Sequence, residues 1–358
     1  MTDHFGRVDI RLQRDDFELA VDFAIPAKGV TGIFGSSGCG KTSLLRCIAG
    51  LEHGATGRIQ VNGDSWLDSV NGKRLSPAER AIGYVFQDGR LFPHKSVRNN
   101  LLYGEARRGS RAAIASLDDV VDLLGIGNLL ERKPAALSGG EQQRVAIGRA
   151  LLSAPRLMLM DEPLANLDRA RKREILPYLD RLHAELRVPM LYVSHSFGEV
   201  ARLCDHLLLL EKGRVQAAGE LETLLADLDL GETLGDMAGA VLPVTSLGWR
   251  EDEGLSRLHI DGMELRVPER LEAGELRLRI LASDVSIVVG EPAASSILNV
   301  MPATIIDWRN VGDAMVLVRL SLAGRHLLAR ISRASLVQLK LLQGQAVHVQ
   351  IKGAAIRR

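Results

Sequence analysis

An apolar run, Gly29–Phe34, opens into Gly35, Ser36, Ser37, Gly38, Cys39, Gly40, Lys41 and Thr42, and a helical run, Lys41–Ala49, carries on from there. No other feature constrains the fold as strongly. The glycines let the backbone turn its N–H groups inward, and the helix start adds the positive end of its dipole, so the loop is built to hold phosphate oxygens. The spacing fits G-x-x-x-x-G-K-[ST] in full, in which Lys41 pairs with nucleotide phosphates and the Thr42 hydroxyl reaches Mg2+. A glycine-rich turn that only caps a helix is the alternative. The strand before the loop and the helix after it set that aside.

Length and composition bound the rest. A chain of 358 residues is long enough for two cores. Lys and Arg number 45 against 44 Asp and Glu, so no global field favours nucleic acid, and no nucleic-acid partner is expected. The N-terminus, MTDHFGRVDIRLQRDD, is charged throughout and lacks the apolar stretch of a secretory signal. Apolar runs such as Leu157–Met160 and Leu207–Leu210 end in charge, far short of the roughly 18 residues that span a bilayer. Cys39, Cys47 and Cys204 lack paired spacing, which argues against disulfides or a zinc site and agrees with a reducing, cytosolic setting. Cys39 lies inside the loop at a helix N-terminus, a setting expected to lower its pKa and make its thiol reactive; the alternative is a small spacer.

Along the chain, Val8–Leu12 and Phe17–Phe23 alternate around the polar tip Gln13–Asp16 and predict an antiparallel hairpin. Roughly residues 95–150 repeat apolar residues at helical spacing, among them Leu101, Leu102, Val120, Val121, Leu123 and Leu124, and predict a helical subdomain inserted into an α/β core. Leu157–Met160 and Met190–Val193 flank a charged helical stretch, the pattern of buried parallel strands joined by a crossover. From about Gly231 short alternating runs take over, with strands expected at Leu276–Ile280, Val316–Leu320, Leu327–Ile331 and Val347–Ile351 and a helix-like interruption at Arg333–Leu342. A small, β-rich, barrel-like second domain is expected.

Two further segments carry chemistry. Leu159-Met160-Asp161-Glu162-Pro163 puts adjacent carboxylates at the C-terminal end of a strand, the edge where open α/β sheets bind ligands. Asp161 is placed to reach Mg2+; Glu162 can accept a proton from an attacking water, and Pro163 is expected to hold Glu162 extended. In Leu137-Ser138-Gly139-Gly140-Glu141-Gln142, Ser138 and Glu141 read as a capping box. Gly139 and Gly140 also bare N–H groups at a helix start, a second anion site. Two phosphate-binding helix ends but one carboxylate pair suggest a nucleotide held between two chains.

These motifs, in this order, resemble the ABC ATPase family over roughly residues 5–225. The resemblance makes Gly35–Thr42 the Walker A loop, Leu157–Glu162 the Walker B strand and Leu137–Gln142 the signature motif. It implies ATP and Mg2+ as cofactors, with Thr42, Gln87 and Asp161 toward the metal and Ser138, Gly139 and Gly140 toward the nucleotide. Gln87, in Val85-Phe86-Gln87-Asp88, resembles the Q-loop glutamine, which contacts Mg2+ and the attacking water. His195, in Val193-Ser194-His195-Ser196, resembles the switch histidine. Asn166-Leu167-Asp168 resembles the D-loop, with the usual small polar residue shifted to Ala165-Asn166. The catalytic set is then Glu162, His195 and Gln87. Phe17 is the candidate to stack on adenine, a core role being the alternative.

The implied architecture is an α/β P-loop ATPase core over residues 1–229, with the helical subdomain at about 95–150, a linker and β-rich segment over 230–290, and an OB-like domain of the TOBE/Mop type over 291–358. One cassette followed by a β-rich domain resembles the ATPase subunits of binding-protein-dependent importers. Val85–His94, Pro177-Tyr178-Leu179 and Met190–Ser196 look most like molybdate importer subunits, and Ser295-Ser296-Ile297-Leu298-Asn299-Val300 resembles the start of a molybdate-binding module. Ser295, Ser296 and Asn299 are candidates to hold an oxyanion, an ordinary polar strand start being the alternative. The expected partners are a second copy of the chain, integral membrane permease subunits and, indirectly, a periplasmic or extracellular oxyanion-binding protein, with the chain peripheral at the cytoplasmic face of the plasma (inner) membrane. Tungstate, sulfate or sugar import, or a freestanding non-transport ATPase, are the other readings.

Overall fold

The computed structural model describes residues 4–185 and 188–353, in two units that divide between Gly219 and Glu220. Residues 1–3 of the charged N-terminus, 186–187 of the crossover stretch and 354–358 of the expected OB-like segment lie outside the described residues.

In the first unit, β1 (His4–Arg14) and β2 (Phe17–Pro26) form the expected hairpin, which turns at Asp15 with a φ of 43°. Their alternation puts Val8, Ile10, Leu12, Leu19, Val21, Phe23 and Ile25 inside. β3 (Val30–Phe34) and α1 (Lys41–Ala49) flank the glycine loop, and α1 buries Leu44, Leu45, Cys47 and Ile48 beneath it. β4 (Thr56–Val61), β5 (Asp64–Asp68) and β6 (Lys73–Arg74) extend the antiparallel side of the sheet. After β7 (Ile82–Val85) comes the helical segment: α2 (Val97–Ala106), α3 (Leu117–Leu124) and α4 (Gly139–Leu152). α2 and α4 approach so closely that a Cβ on Gly104 would stand 2.0 Å from the Arg149 carbonyl, so this crossing needs glycine.

The remaining elements of the unit are β8 (Leu157–Asp161), α5 (Arg169–Glu185), β9 (Met190–Val193), α6 (Phe197–Leu203), β10 (His206–Glu211) and β11 (Arg214–Glu220). Every residue of β8 and β9 is buried, as strands covered on both faces require. Leu207–Leu210, too short to cross a membrane, is the buried stretch of β10, parallel to β3. The eleven strands run β6-β5-β4-β1-β2-β11-β10-β3-β9-β8-β7.

The second unit starts with α7 (Leu221–Leu225) and α8 (Gly231–Leu234). β12 (Gly239–Arg250), β13 (Leu255–Ile260), β14 (Met263–Val267) and β15 (Gly274–Leu281) make one antiparallel sheet. A second comprises β16 (Val285–Val288), β17 (Asn299–Val311), β18 (Met315–Leu322), β19 (Arg325–Ser332) and β20 (Ala346–Ile351), with α9 (Arg333–Gln338) between the last two. The four expected strands fall within β15, β18, β19 and β20, and α9 covers the first part of Arg333–Leu342. Leu242, Leu258, Leu265 and Ile280 of the first sheet share one core with Ile305, Val316, Leu327 and Val349 of the second. Residues 230–290 supply β12 to β16 of this arrangement, and β16 pairs with β20.

Candidate active site

Four parallel strands, in the order β3-β9-β8-β7, bring the sequence motifs to one edge. Their registers coincide: Ile33 stands opposite Val193, Val193 opposite Asp161, and Met160 opposite Val85. The segments that leave these strands, Gly35–Thr42, Ser194–Ser196, Asp161-Glu162 and Phe86–Asp88, therefore emerge together at the carboxyl end of the sheet.

The loop holds its shape through Gly38 and Gly40, with φ of 78° and 107°. A Cβ on Gly40 would stand 2.8 Å from Cζ of Phe17, so hairpin tip and loop meet there. Lys41 is buried, and its ammonium donates to the carbonyls of Gly35 at 2.9 Å and Ser36 at 3.0 Å. Thr42 Oγ1 donates to Asp161 Oδ1 at 2.9 Å, and Tyr84 OH donates to Asp161 Oδ2 at 3.0 Å. Burial pushes the Asp161 carboxyl up, and these two hydrogen bonds act against it. Burial and the Asp161 charge push the Tyr84 phenol up as well, which keeps it a donor.

Glu162 Oε2 lies 3.2 Å from His195 Nδ1. Its backbone corrects one expectation: Pro163 does not hold Glu162 extended, since its φ is 47°. The Glu162 N–H continues the sheet to the Val193 carbonyl at 3.0 Å, and the chain then turns so that Ala165 N–H reaches the Glu162 carbonyl. Sheet register and this turn outweigh the local preference before proline.

A cavity of about 590 Å³ opens here, lined by Phe17, Ser37, Gly38, Gly40, Lys41, Thr42 and Glu162 together with the hairpin tip Arg14–Asp16. Gly35 and Ser36 serve through the carbonyls that hold Lys41. Cys39 corrects a second expectation. Its side chain is 3% exposed, it does not line the cavity, and burial pushes its thiol up rather than down. Gln87 is exposed and pairs with Asn166, whose Oδ1 accepts from Gln87 Nε2 at 3.4 Å.

Ser138, Gly139 and Gly140 lie outside the lining of this cavity. Ser138 and Glu141 form the capping box of α4. The two glycines also leave room for neighbours, since a Cβ on Gly139 would meet Leu167 at 3.1 Å and one on Gly140 would meet Ile175 at 3.2 Å. In the second unit Asn299 is 2% exposed, and its side chain is spent on the backbone: it accepts from Arg266 N–H at 2.7 Å and donates to the carbonyls of Arg266 at 3.0 Å and Ile351 at 3.2 Å. Of the three oxyanion candidates it is thus a structural residue. Ser295 Oγ accepts from Ile297 N–H at 3.2 Å.

Reading the sequence missed three groups. Arg14, Asp15 and Asp16 line the cavity only because the hairpin tip meets the glycine loop, where Phe17 lies against Gly40. Tyr84 stands three residues before Gln87 and shows no pattern of its own. Glu199 is 6% exposed and accepts from Tyr192 OH at 3.0 Å and Ser194 Oγ at 2.8 Å, while Lys172 pairs with it at 2.8 Å. Ser194 Oγ in turn accepts from Ser196 N–H at 3.0 Å, so both neighbours of His195 are fixed. A carboxylate in the first turn of a short, largely apolar helix was the available signal.

The chain is similar to known proteins in sequence and in fold. The ABC transporter family model matches residues 19–165 and the TOBE domain model residues 295–357. The molybdenum import ATP-binding protein ModC 1 of Azotobacter vinelandii is 50% identical over 353 residues, 98% of each chain. The molybdenum import ATP-binding proteins ModC of Pseudomonas aeruginosa and Thiobacillus denitrificans are each 49% identical, over 98% of this chain and 98% and 97% of their own. Among solved structures, a nucleotide-free ATP-binding cassette from an ABC transporter matches with a TM-score of 0.53 at 25% identity, over 64% of this chain and 98% of its own. The protein cbiO1 from Clostridium perfringens, part of the ABC transporter complex cbiONQ, matches with a TM-score of 0.53 at 25% identity, over 65% and 95%. With half its residues shared along almost its whole length, the chain belongs to the ModC family of molybdenum import ATP-binding proteins, within the ABC transporter ATPases.

Proposed function

We propose that this ATPase subunit of a molybdate importer hydrolyses ATP where β3, β9 and β8 end, with Glu162 taking the proton of the attacking water. One observation carries the reading: Lys41, Thr42 and Glu162 line the cavity of about 590 Å³, with Asp161 hydrogen-bonded to Thr42 at 2.9 Å and His195 to Glu162 at 3.2 Å. Lys41 exchanges its two carbonyl partners for phosphate oxygens, and Phe17, against the loop, offers a face for adenine. Thr42, Asp161 and Gln87 each offer an oxygen, which suits Mg2+, and the hydrogen bond between Thr42 and Asp161 brings two of them together. Mg2+ held by these residues would supply positive charge against the negative charge of the nucleotide phosphates. Glu162 receives the proton, and His195, hydrogen-bonded to it, orients that carboxylate and faces the γ-phosphate.

Ser138 and Gly139, exposed at a helix start, and the buried Gly140 beside them lie away from their own chain's cavity and complete the site of a second copy in a two-fold dimer. The stretch from Gly89 to His94 receives a helix of a membrane permease subunit, and a periplasmic oxyanion-binding protein delivers substrate to that permease. No helix among the described residues is long and apolar enough to cross a membrane, which supports a peripheral place at the cytoplasmic face of the inner membrane.

Glu162→Gln tests the reading. Hydrolysis should fall at least about 100-fold while ATP binding is kept and an ATP-bound dimer accumulates. Turnover near the parent rate would show that another group takes the proton. With permease and loaded receptor in liposomes, molybdate should speed ATP turnover more than sulfate.

A further inference from the structure

We propose that Tyr84 is a positioning residue for Asp161, and that its ring ties this carboxylate to the loop around Arg90. The proposal rests on the reading of Asp161 as the carboxylate that faces the metal. Asp161 is 8% exposed, and its two oxygens take different donors: Oδ1 the Thr42 hydroxyl at 2.9 Å, Oδ2 the Tyr84 hydroxyl at 3.0 Å. A carboxylate with one partner can rotate about its terminal torsion. Two donors on separate elements, α1 and β7, leave it one orientation. Tyr84 can reach across because β7 pairs with β8, with Tyr84 opposite Leu159 and Asp161 two residues further on the same face.

The ring of Tyr84 stacks on Phe86, with centroids 4.2 Å apart and planes at 28°. Phe86 in turn lies under the Arg90 guanidinium, 4.2 Å from the ring centre. The carbonyls of Gly89 and Arg90 are held by Arg149 of α4 at 3.0 and 2.8 Å. Touching groups thus lead from Asp161 through Tyr84 and Phe86 into the segment that carries Gln87. A shift of this segment displaces Phe86, and with it the hydroxyl that aims Asp161.

The test compares ATP affinity in Mg2+ and in EDTA, read by equilibrium binding of a fluorescent ATP analogue. In Tyr84→Phe, which keeps the ring, the metal-dependent gain in affinity should fall about tenfold, and affinity in EDTA should not change. In an Asp161→Asn background the same substitution should add nothing. A full metal-dependent gain in Tyr84→Phe, an equal loss in EDTA, or losses that add in the double variant would each overturn the positioning role. Arg90→Ala should lower the gain by about threefold through the stacked ring; no change there overturns the tie to the loop. Should Tyr84→Phe not fold, the unsubstituted chain labelled with 3-fluorotyrosine gives four signals, assigned through Tyr103→Phe, Tyr178→Phe and Tyr192→Phe. The Tyr84 signal should move when Mg2+ joins the ATP complex, and an unmoved signal overturns the proposal. If the unsubstituted chain itself gains no affinity from Mg2+, the metal-facing reading of Asp161 falls instead.

Discussion

Glu199→Ala should separate stability from chemistry in this site. The Glu199 carboxylate holds the hydroxyls of Tyr192 and Ser194 and pairs with Lys172. Removing one partner of a buried ion pair costs about 3–5 kcal/mol, because the other charge is left without compensation. Lys172 keeps 23% of its side-chain surface exposed, so water takes up part of its charge. The hydroxyls, by contrast, lose charge-assisted bonds in a closed space. Together this points to a loss of about 3 kcal/mol for Ala, and about half that for Gln, which keeps an oxygen for the hydroxyls. The effect on rate has a separate origin. Ser194, released from Glu199, no longer fixes the Ser196 N–H, and His195 between them loses its place. Misplacing a reacting group by an ångström can cost about 100-fold, so kcat should fall at least about tenfold while ATP affinity stays near the parent value. Urea unfolding followed by Trp66, buried in the first unit, in a Trp249→Phe/Trp308→Phe background reports the stability, and phosphate release reports the rate. A Glu199→Ala chain within about 1 kcal/mol of the parent would sink the energetic argument. A destabilised chain with unchanged kcat would sink the claim that Glu199 holds His195.

Two further outcomes follow from groups outside the reacting centre. Burial pushes the Cys47 thiol from its ordinary 9.0 up to about 12. The native thiol keeps its proton where the unfolded one has lost it, so its contribution is full below about pH 9 and is lost as pH rises toward 12, by about 1.4 kcal/mol per unit. The stability gap between the parent and Cys47→Ala should therefore narrow by about 2 kcal/mol from pH 8 to 10.5, and a constant gap would refute it. Asn299→Ala should cost the second unit about 2–4 kcal/mol, because it strips partners from the Arg266 N–H and from the carbonyls of Arg266 and Ile351 at a buried point. ATP affinity should not change, and a stable Asn299→Ala chain with lost oxyanion binding would restore Asn299 as a ligand.

What could be read from the sequence was whatever a short segment specifies alone. Gly35–Thr42 needs only its own glycines, lysine and threonine, and the buried runs of β8 and β9 announce themselves by continuous apolar residues. The capping box at Ser138 is local in the same sense. Tyr84 and Asp161 are 77 positions apart, Lys172 and Glu199 are 27, and nothing in either neighbourhood marks the pairing. Such contacts exist only once strand order places β7 beside β8 and α5 beside α6. Cys39 and Glu162 teach the complementary point, because there a local rule was applied and the surroundings overruled it. A helix N-terminus lowers a thiol's pKa only if the thiol faces the dipole and water, whereas Cys39 turns into the space beside Gly35, where its Sγ would sit 2.8 Å from a Cβ placed there. A residue before proline prefers extended backbone only while no stronger partner holds it, and the Val193 carbonyl holds Glu162. Asn299 fails in the opposite direction: a polar residue at a strand start looks available for a ligand, yet burial against β14 and β20 leaves its amide committed to the fold. Side-chain direction, more than residue type, decides which of these groups meets a ligand, and direction is set by the packing of elements distant in the chain.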